Sequence, residues 1–255
     1  MKTFLYSCAL VCFCFSCAIF LATLLGCARK RGDNVLTFAL SADYPPFEYF
    51  ENGEIVGFDV ELAQLLAKEL GKQARFVDMQ FSSIFAAVQN GGADAAISTI
   101  AVTPERQKNF DFSEPYHVQM LATVFRKAVP FAEVSQLVGA KIACQLGTTM
   151  ELWAKAHVPS ADLTLLDLNT QVIEALKAGH VDVALVDAAQ AKAFVTKNGG
   201  LACACIARSD AGYAILCPKG SGLATQFTQA LRKLQQNGEL TKLQHKWFEE
   251  ASWEI

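Results

Sequence analysis

The fold class is decided by VLTFAL at residues 35–40, GFDVELAQLLAKEL at residues 57–70 and ARFV at residues 74–77. The first and third segments are short apolar runs, which are typical of buried strands. In the middle segment the apolar residues recur at helical spacing, with Asp59 as the expected N-cap and Gly71 as the expected stop. A strand, a helix and a strand in this order predict α/β layering.

The same alternation of apolar runs and amphipathic segments continues along the rest of the chain. Thr103-Pro104-Glu105-Arg106 predicts a helix start, because a capping hydroxyl precedes proline at the first helical position, so Arg106 lies in the first turn. Gly147-Thr148-Thr149 is likewise expected to open a helix. Further strands are expected at residues 93–98, 141–145, 163–166, 181–186 and 212–216, and further helices at residues 82–89, 170–178, 188–196, 223–236 and 240–248.

The pattern starts anew after Tyr116, and no repeat, low-complexity tract or flexible linker separates the two parts. Two α/β units without a linker predict two lobes that are joined where strands cross from one to the other. We expect one crossing near residues 117–125 and the return near residues 209–215. The domain boundaries predicted in this way are residues 34–120 and 212–255 for lobe I, and residues 121–211 for lobe II.

The first 26 residues carry one charge, Lys2, and then an almost unbroken apolar run. A short basic start and an apolar run that ends in a small residue indicate a secretory signal peptide. An uncleaved transmembrane anchor is the alternative, since about 20 apolar residues span a bilayer. Leu24-Leu25-Gly26-Cys27 resembles the bacterial lipobox, in which the cysteine thiol is lipidated. We therefore expect a signal peptide at residues 1–26, and at residues 27–33 a lipidated Cys27 with a tether to the membrane, outside the cytoplasm.

The charge balance is mildly acidic, with a formal net charge of −3 that becomes one unit more negative when Lys2 is removed with the signal peptide. A nucleic-acid partner is therefore not expected, since it usually requires a basic face. The cysteines of the mature part are even in number, which allows a disulfide in an oxidising compartment. Each lies in an apolar run, where a free cysteine behaves as a small hydrophobe, so we favour free thiols at Cys144, Cys203, Cys205 and Cys217.

Motifs for catalysis and metal binding are absent from the sequence. The histidines lack the spacing of metal ligands, and Cys203-x-Cys205 has no partners at zinc-finger distances. Neither a Gly-x-Ser-x-Gly elbow nor a phosphate-binding Walker loop occurs. We expect no catalytic residue, no metal and no cofactor.

Several motifs in one order resemble the polar amino-acid-binding proteins of ABC importers, a family of bacterial extracellular solute-binding proteins (family 3). The resemblance covers nearly all of residues 34–250, and it implies a periplasmic-binding-protein fold with two lobes that close around a ligand. The motifs are Tyr44-Pro45-Pro46-Phe47-Glu48, Gly57-Phe58-Asp59-Val60-Glu61-Leu62, Thr103-Pro104-Glu105-Arg106 with Asp111-Phe112-Ser113, Gly147-Thr148-Thr149, the strand that ends in Asp187, and Asn237-Gly238-Glu239-Leu240 with Lys246-Trp247-Phe248.

An amino acid presents a carboxylate and an ammonium group, so its receptor needs a fixed cation and a fixed anion. Arg106 is the candidate cation, because its planar fork can hold a carboxylate in a bidentate manner. Spacing alone explains it equally well as a surface arginine, and the family position favours the binding role. Asp187 is the candidate anion. It follows an apolar strand, where ligands of α/β sheets bind, and it is also a good helix N-cap. The resemblance implies that it accepts the ligand's α-ammonium.

The resemblance also implies roles for hydroxyl and aromatic residues. Ser98 and Thr99 end a strand, and Thr148 and Thr149 open a helix whose free N–H groups favour a carboxylate, although simple capping explains each of them. Ala101 departs from the family pattern, where many members have serine. Tyr44 and Phe81 are expected to enclose the ligand's side chain through stacking and cation–π attraction, with core packing as the alternative for Phe81.

Side-chain specificity is less determined by the sequence. Receptors for basic amino acids often carry an acid at the position of Ser41, and Asp43 is a substitute unless strand alternation turns it to solvent. Gln145 and Gln190 are placed to contact a polar end group. Arginine or another basic amino acid is our first expectation, and glutamine, histidine and cystine are alternatives.

The sequence therefore predicts a lipid-anchored amino-acid receptor that delivers its ligand to the permease of an ABC transporter. We expect a monomer that is not an enzyme. The alternatives are an enzyme on the same fold, similar to cyclohexadienyl dehydratase, with Glu48 or His117 as a catalytic group near Arg106, and a surface adhesin or antigen.

Overall fold

The computed structural model of the chain describes residues 34–248, apart from the side chains of residues 210 and 211. The predicted signal peptide at residues 1–26 and the predicted tether at residues 27–33 with Cys27 lie outside these residues. Within residues 34–248, no helix has the length and apolar character that a membrane span requires.

Strands and helices alternate along the described residues, as α/β layering requires. The strands are β1 (Val35–Leu40), β2 (Asp43–Tyr44), β3 (Glu48–Glu51), β4 (Glu54–Val56), β5 (Gln73–Asp78), β6 (Ala95–Ala96), β7 (Phe110–Phe112), β8 (His117–Arg126), β9 (Lys141–Gln145), β10 (Asp162–Leu166), β11 (Val183–Asp187), β12 (Leu201–Tyr213) and β13 (Leu216–Pro218). The helices are α1 (Phe58–Glu69), α2 (Phe81–Gln89), α3 (Pro104–Asn109), α4 (Thr149–His157), α5 (Asn169–Lys177), α6 (Ala188–Lys197), α7 (Leu223–Gln236) and α8 (Glu239–Phe248).

The strands form two five-stranded sheets and a small three-stranded one. The first sheet has the order β5-β1-β6-β13-β7, and the second has the order β10-β9-β11-β8-β12. In the second sheet β10, β9 and β11 are parallel, whereas β8 and β12 run antiparallel to them as a long pair. The third sheet is the antiparallel meander β2-β3-β4. Each of the two large sheets therefore supplies the centre of one lobe.

The chain passes from the first sheet to the second between Phe112 and His117, and it returns between Tyr213 and Leu216. The two passages run side by side: the amide of Tyr116 donates to the carbonyl of Tyr213 at 2.8 Å, and the amide of Ser113 donates to the carbonyl of Ile215 at 3.0 Å. Two adjacent crossings confirm the predicted kind of connection between the sheets.

Apolar side chains cover both faces of each large sheet. On the first sheet α1, α7 and α8 pack on one face and α2 packs on the other. On the second sheet α5 and α6 cover one face, and α4 covers the other. Fully buried side chains such as Phe38, Phe58 and Phe227 each contribute roughly 1.5–3 kcal/mol by leaving water.

Most predicted elements are confirmed within one or two residues, including the strand at residues 141–145 and the helix at residues 223–236. Two predictions are wrong. The N-cap of α1 is Gly57, and Asp59 lies inside the first turn, where its carboxylate faces other elements. The expected strand at residues 212–216 is divided, because β12 ends at Tyr213 and β13 begins at Leu216 as the chain changes sheets.

The lobe boundaries at residues 34–120, 121–211 and 212–255 stay a prediction. In the structure β8, which begins at His117, runs across the first of these boundaries. The four cysteines at positions 144, 203, 205 and 217 are free thiols, of which Cys144 and Cys217 are buried and the other two are half-buried.

Candidate functional site

A narrow cavity lies between residues of the first sheet's lobe and residues of the second. It is lined by Tyr44, Phe81, Thr99, Arg106, Gln119, Gln145, Thr148, Thr149, Met150 and Tyr213. These residues come from β2, the starts of α2, α3 and α4, the segment after β6, and the ends of β8, β9 and β12. Seven predicted site residues therefore meet around one space, although up to 105 positions separate them in the sequence.

Arg106 is the one charged residue among the cavity-lining residues. Thr103 caps α3 by accepting from the amide of Arg106 at 3.2 Å, and Pro104 occupies the first helical position, as predicted. The guanidinium donates to the carbonyl of Ala101 at 2.7 Å and, across to the second lobe, to the carbonyl of Gly147 at 3.0 Å. It also lies 4.9 Å from the ring centre of Phe85 and 5.8 Å from that of Phe81.

No carboxylate within residues 34–248 forms an ion pair with Arg106. Burial lowers the pKa of its guanidinium to about 10, and the charge is held by neutral carbonyls and aromatic faces. A partly buried cation without a counter-charge attracts an anion, and a planar guanidinium suits a carboxylate. The cavity can thus accept a carboxylate beside Arg106.

Hydroxyl groups surround this position. Thr148 is the N-cap of α4, and its hydroxyl donates to the carbonyl of Gln145 at 2.7 Å. Thr99 lines the cavity from the other lobe, and Ser98 lies behind it, fully buried and without cavity contact. At Ala101 the backbone carbonyl contacts Arg106, so the missing serine hydroxyl leaves the main chain as the polar group there.

Tyr44 and Phe81 both line the cavity and are both almost fully buried. Tyr44 packs against Phe47 of the aromatic cluster in the first lobe. Phe81 is the first residue of α2 and packs edge-on against Phe85. The core-packing and cavity-wall interpretations of Phe81 are thus compatible, because the residue belongs to an apolar cluster and also lines the cavity.

Asp187 ends β11 and caps α6, and it does not itself line the cavity. Its carboxylate accepts from the amide of Ala189 at 2.8 Å, from the amide of Met120 at 3.3 Å and from the hydroxyl of Tyr213 at 2.9 Å. Burial raises the pKa of Asp187 to about 6, and the donated hydrogen bonds offset part of that rise. Tyr213, which does line the cavity, therefore stands between this carboxylate and the ligand space.

Of the four residues predicted to determine side-chain specificity, only Gln145 lines the cavity. Asp43 turns away from the cavity, and its carboxylate accepts from the amide of Asn169 at the start of α5. Gln145 lines the cavity, and its amide bonds to the side chain of Asn169 at 2.8 Å and to the carbonyl of Asp167 at 2.9 Å. Ser41 is buried, with its amide donating to the hydroxyl of Ser98 at 3.0 Å. Gln190 is fully buried in α6, and its amide group has no partner in the described part of the chain.

Three residues that line the cavity were not predicted: Gln119, Met150 and Tyr213. Gln119 is buried, and its amide donates to the hydroxyl of Thr149, while its Oε1 atom has no partner among residues 34–248. A polar residue inside the apolar run of β8 was the available signal. Met150 and Tyr213 look like ordinary core residues in the sequence, so no local signal marks them.

Glu48 and His117, the residues considered for catalysis, do not line the cavity. Glu48 contacts Ser98, and His117 packs among the rings of Phe47, Phe58, Tyr213 and Phe248, where burial lowers its pKa to about 4. Within the described residues no cluster of histidine, cysteine or acidic side chains is arranged to hold a metal ion.

Known proteins of similar sequence and structure indicate the family of this chain. The chain is 34% identical over 241 residues to the arginine-binding extracellular protein ArtP of Bacillus subtilis (strain 168), covering 91% of this chain and 94% of that protein. Its structure is similar to an ancestral arginine-binding protein bound to arginine, with a TM-score of 0.81, 33% identity and coverage of 86% of this chain and 100% of that chain.

A third similarity is to AncCDT-1, an ancestral amino acid-binding protein and a precursor of cyclohexadienyl dehydratase, with a TM-score of 0.79, 30% identity and coverage of 84% of this chain and 96% of that chain. Residues 36–250 match the bacterial extracellular solute-binding proteins, family 3, and this match spans both large sheets and the cavity between them. The chain therefore belongs to that family and has its two-lobe α/β fold.

Proposed function

We propose that this chain is the solute receptor of an amino-acid ABC importer, and that it captures a free polar amino acid, with arginine as the first choice. The observation that carries the proposal is Arg106, a partly buried cation that lines the cavity without a carboxylate partner in the described residues. A ligand carboxylate supplies the missing charge, and the guanidinium binds it more strongly than it binds neutral carbonyls.

The carboxylate of the ligand lies beside Arg106, Thr148 and Thr149. The start of α4 adds free amide groups and the positive end of the helix dipole to this position. The α-ammonium is assigned to Tyr213 and Asp187 together. The phenol oxygen accepts from the ammonium while its hydrogen is donated to Asp187, which supplies the negative charge from behind.

Arginine fits the remaining wall better than lysine does. No carboxylate lines the cavity within residues 34–248, so a compact ammonium would lose its hydration without a counter-charge. A guanidinium is more weakly hydrated and stacks on aromatic faces such as that of Tyr44. The side-chain amide oxygens of Gln119 and Gln145, which also line the cavity, accept its hydrogens. The names of the relatives, ArtP and the ancestral arginine-binding protein, point to the same ligand. Glutamine, histidine and cystine are the alternatives.

Capture occurs by closure of the two lobes. Arg106 belongs to one lobe, whereas Thr148, Thr149 and Asp187 belong to the other, so a bound amino acid contacts both only in the closed form. The ligand therefore shifts the equilibrium by its differential affinity for that form. The lobes are taken as residues 34–120 with 212–255, and residues 121–211.

Family membership implies a location outside the cytoplasm. Within that setting we propose that Cys27 carries a lipid, that residues 27–33 form the tether, and that the monomeric receptor docks on a membrane permease. Mass spectrometry of protein extracted from membranes tests the anchor, because an unmodified Cys27 would contradict it.

The decisive experiment is calorimetric titration of residues 28–255, refolded to remove carried ligand, with the twenty amino acids, ornithine and cystine. We expect arginine to bind at about −8 kcal/mol or better, which corresponds to micromolar affinity. Arg106→Ala should weaken binding at least about a hundredfold, and Arg106→Lys should restore little of it, because lysine cannot form the bidentate contact.

Arg232→Ala is the matched control, since Arg232 is an exposed arginine that pairs with Glu114 and does not line the cavity. It should bind arginine as the unmodified protein does. If folded protein binds none of the amino acids, the receptor function fails, and an enzyme or adhesin on this fold becomes the function to test.

A further inference from the structure

Two buried carboxyl groups, Glu48 and Asp59, lie behind the cavity wall and are not used by the proposed binding mechanism. Neither has measurable exposure to solvent. Glu48 accepts through Oε1 from the hydroxyl of Ser98 at 2.6 Å. Asp59 accepts through Oδ2 from the amide of Thr99 at 2.9 Å and from the hydroxyl of Tyr116 at 2.8 Å.

The other two oxygens of this pair have no partner. Glu48 Oε2 and Asp59 Oδ1 are both buried, and no donor within residues 34–248 reaches either of them. The two side chains are within hydrogen-bonding reach of each other. Two neighbouring carboxylates in a dry site cannot both be ionised without a large cost, whereas one proton between the two unpartnered oxygens satisfies both.

The surroundings decide which group is the anion. Asp59 receives two donated hydrogen bonds and lies in the first turn of α1, where the helix dipole favours negative charge. Glu48 receives one hydrogen bond. Glu48 is therefore the better proton carrier, with its O–H directed to Asp59 Oδ1.

We propose that Glu48 and Asp59 share one proton, and that this pair is a positioning device that holds the Ser98–Thr99 segment against the cavity. Thr99 is a β-branched residue with a φ of 47°, a conformation that needs support from its neighbours. Asp59 supports it directly through the amide of Thr99. Glu48 acts through Ser98, whose hydroxyl also accepts from the amide of Ser41 at 3.0 Å.

The same pair reaches the crossing between the lobes. Tyr116, which donates to Asp59, also donates its amide to the carbonyl of Tyr213 on the return passage at 2.8 Å. The cavity wall and the crossing thus share one buried acid. A change in its protonation alters the support of both.

Burial and the neighbouring Asp59 carboxyl raise the pKa of Glu48 well above its usual range. The other titratable groups that face the pair are Asp43, which raises it further, and the hydroxyls of Tyr44 and Tyr116. The native protein therefore retains a proton that the unfolded chain releases above the ordinary carboxyl pKa.

The test compares Glu48→Gln with Glu48→Leu. The glutamine amide donates to Asp59 and its oxygen accepts from Ser98, so it replaces a protonated glutamate, whereas leucine keeps the volume and removes both bonds. Glu48→Gln should bind arginine within about twofold of the unmodified protein at pH 7. Glu48→Leu should bind about 10–100-fold more weakly, because two buried bonds to the wall are lost.

A second measurement does not depend on ligand binding. As pH rises from about 5, the unmodified protein loses stability relative to Glu48→Gln, because only the former must retain the proton. The Tm difference should grow by roughly 3–5 °C per pH unit in favour of Glu48→Gln. Glu54→Gln, at an exposed carboxylate of β4, is the control and should show no such trend.

Two results would overturn the shared proton: a Glu48→Gln variant that is as impaired as Glu48→Leu, or a Tm difference that does not change with pH. The affinity measurement rests on the proposed function. If the unmodified protein binds no amino acid, that function fails, and the Tm comparison still decides on the proton.

Discussion

Tyr213 stands between the buried carboxyl group of Asp187 and the cavity. Its hydroxyl donates to Asp187 at 2.9 Å, and its ring stacks nearly parallel to that of His117. Because burial raises the pKa of Asp187 to about 6, the charge of this residue is sensitive to each hydrogen bond it receives. Removing the tyrosine hydroxyl changes that charge without opening a large void.

Tyr213→Phe should raise the pKa of Asp187 above about 6 and remove an acceptor for the ligand's ammonium. We expect arginine binding about 3–20-fold weaker at pH 7. In the proposed site the ammonium requires an ionised Asp187, so the affinity of the unmodified protein should fall as pH decreases through about 6. In the variant the fall should begin at a higher pH, which calorimetry from pH 5 to 8 measures.

Tyr49→Phe is the control, since Tyr49 is a tyrosine of β3 that packs on Trp247 and does not line the cavity. An affinity that stays flat between pH 5 and 8 in all three proteins would exclude Asp187 as the group that holds the ammonium.

For single residues, the sequence predicts the position of a side chain where neighbouring residues in the chain determine it. Thr103 and Pro104 predict the first turn of α3 and hence the place of Arg106. Local sequence does not predict the partners of Arg106, because the packing of the two lobes brings the carbonyl of Gly147 to its guanidinium. Gln119 and Tyr213 enter the site for the same long-range reason, which a local pattern does not contain.

Among the elements, α5 shows how a distant residue completes a helix. The N-cap position of α5 is Leu168, which has no side-chain acceptor. Asp43 supplies one from the other lobe by accepting from the amide of Asn169, 126 positions away. The sequence predicts this helix from its apolar spacing, but the cap is not adjacent in the chain, so Asp43 was expected near the ligand. The short strands β2 to β4 were missed because two to four residues carry too little periodicity.

Asp43→Ala should weaken arginine binding about 3–30-fold, since the closed form loses both a helix cap and a contact between the lobes. Asp43→Asn should bind nearly as well as the unmodified protein, because asparagine is an equally good cap. Burial raises the pKa of Asp43 to about 6, so closure takes up a proton between about pH 4 and 6. The contribution of Asp43 to the free energy of closure is therefore largest at low pH and constant above about pH 6.

Asp94→Ala is the matched loss of a carboxylate that accepts an amide, here that of Thr37 at 2.8 Å within the first lobe. It should lower the free energy of unfolding and leave arginine affinity unchanged. Equal affinities for Asp43→Ala and Asp94→Ala would show that the contact with α5 does not support closure.

For the whole molecule, the repeated alternation of strands and helices predicts two sheets, and the absence of a linker predicts direct strand crossings. Both follow from periodicity, which depends on burial and is visible in the sequence. The division of residues 212–216 between β12 and β13 is not visible, because the apolar run continues while the chain changes sheets. The place where one sheet gives way to another is set by pairing partners, here Tyr213 with His117 and Leu216 with Phe112.

The two passages of the crossing approach each other closely at Gly212. A Cβ atom at this position would lie 2.5 Å from the Cβ of Pro115 and 3.0 Å from the carbonyl oxygen of His117. A methyl group therefore forces the two passages apart, and Gly212→Ala should lower the free energy of unfolding by about 1–3 kcal/mol. Gly200, which directly precedes β12, has no atom within 4 Å of its added Cβ, so Gly200→Ala should be neutral or slightly stabilising. Urea denaturation measures both as changes in midpoint at constant slope.

Since the passages also connect the lobes, Gly212→Ala should weaken arginine binding while Gly200→Ala does not. If the two alanine variants unfold at the same urea concentration, the close approach at Gly212 does not constrain the crossing, and closure must be guided by the contacts of Asp43 and Arg106 instead.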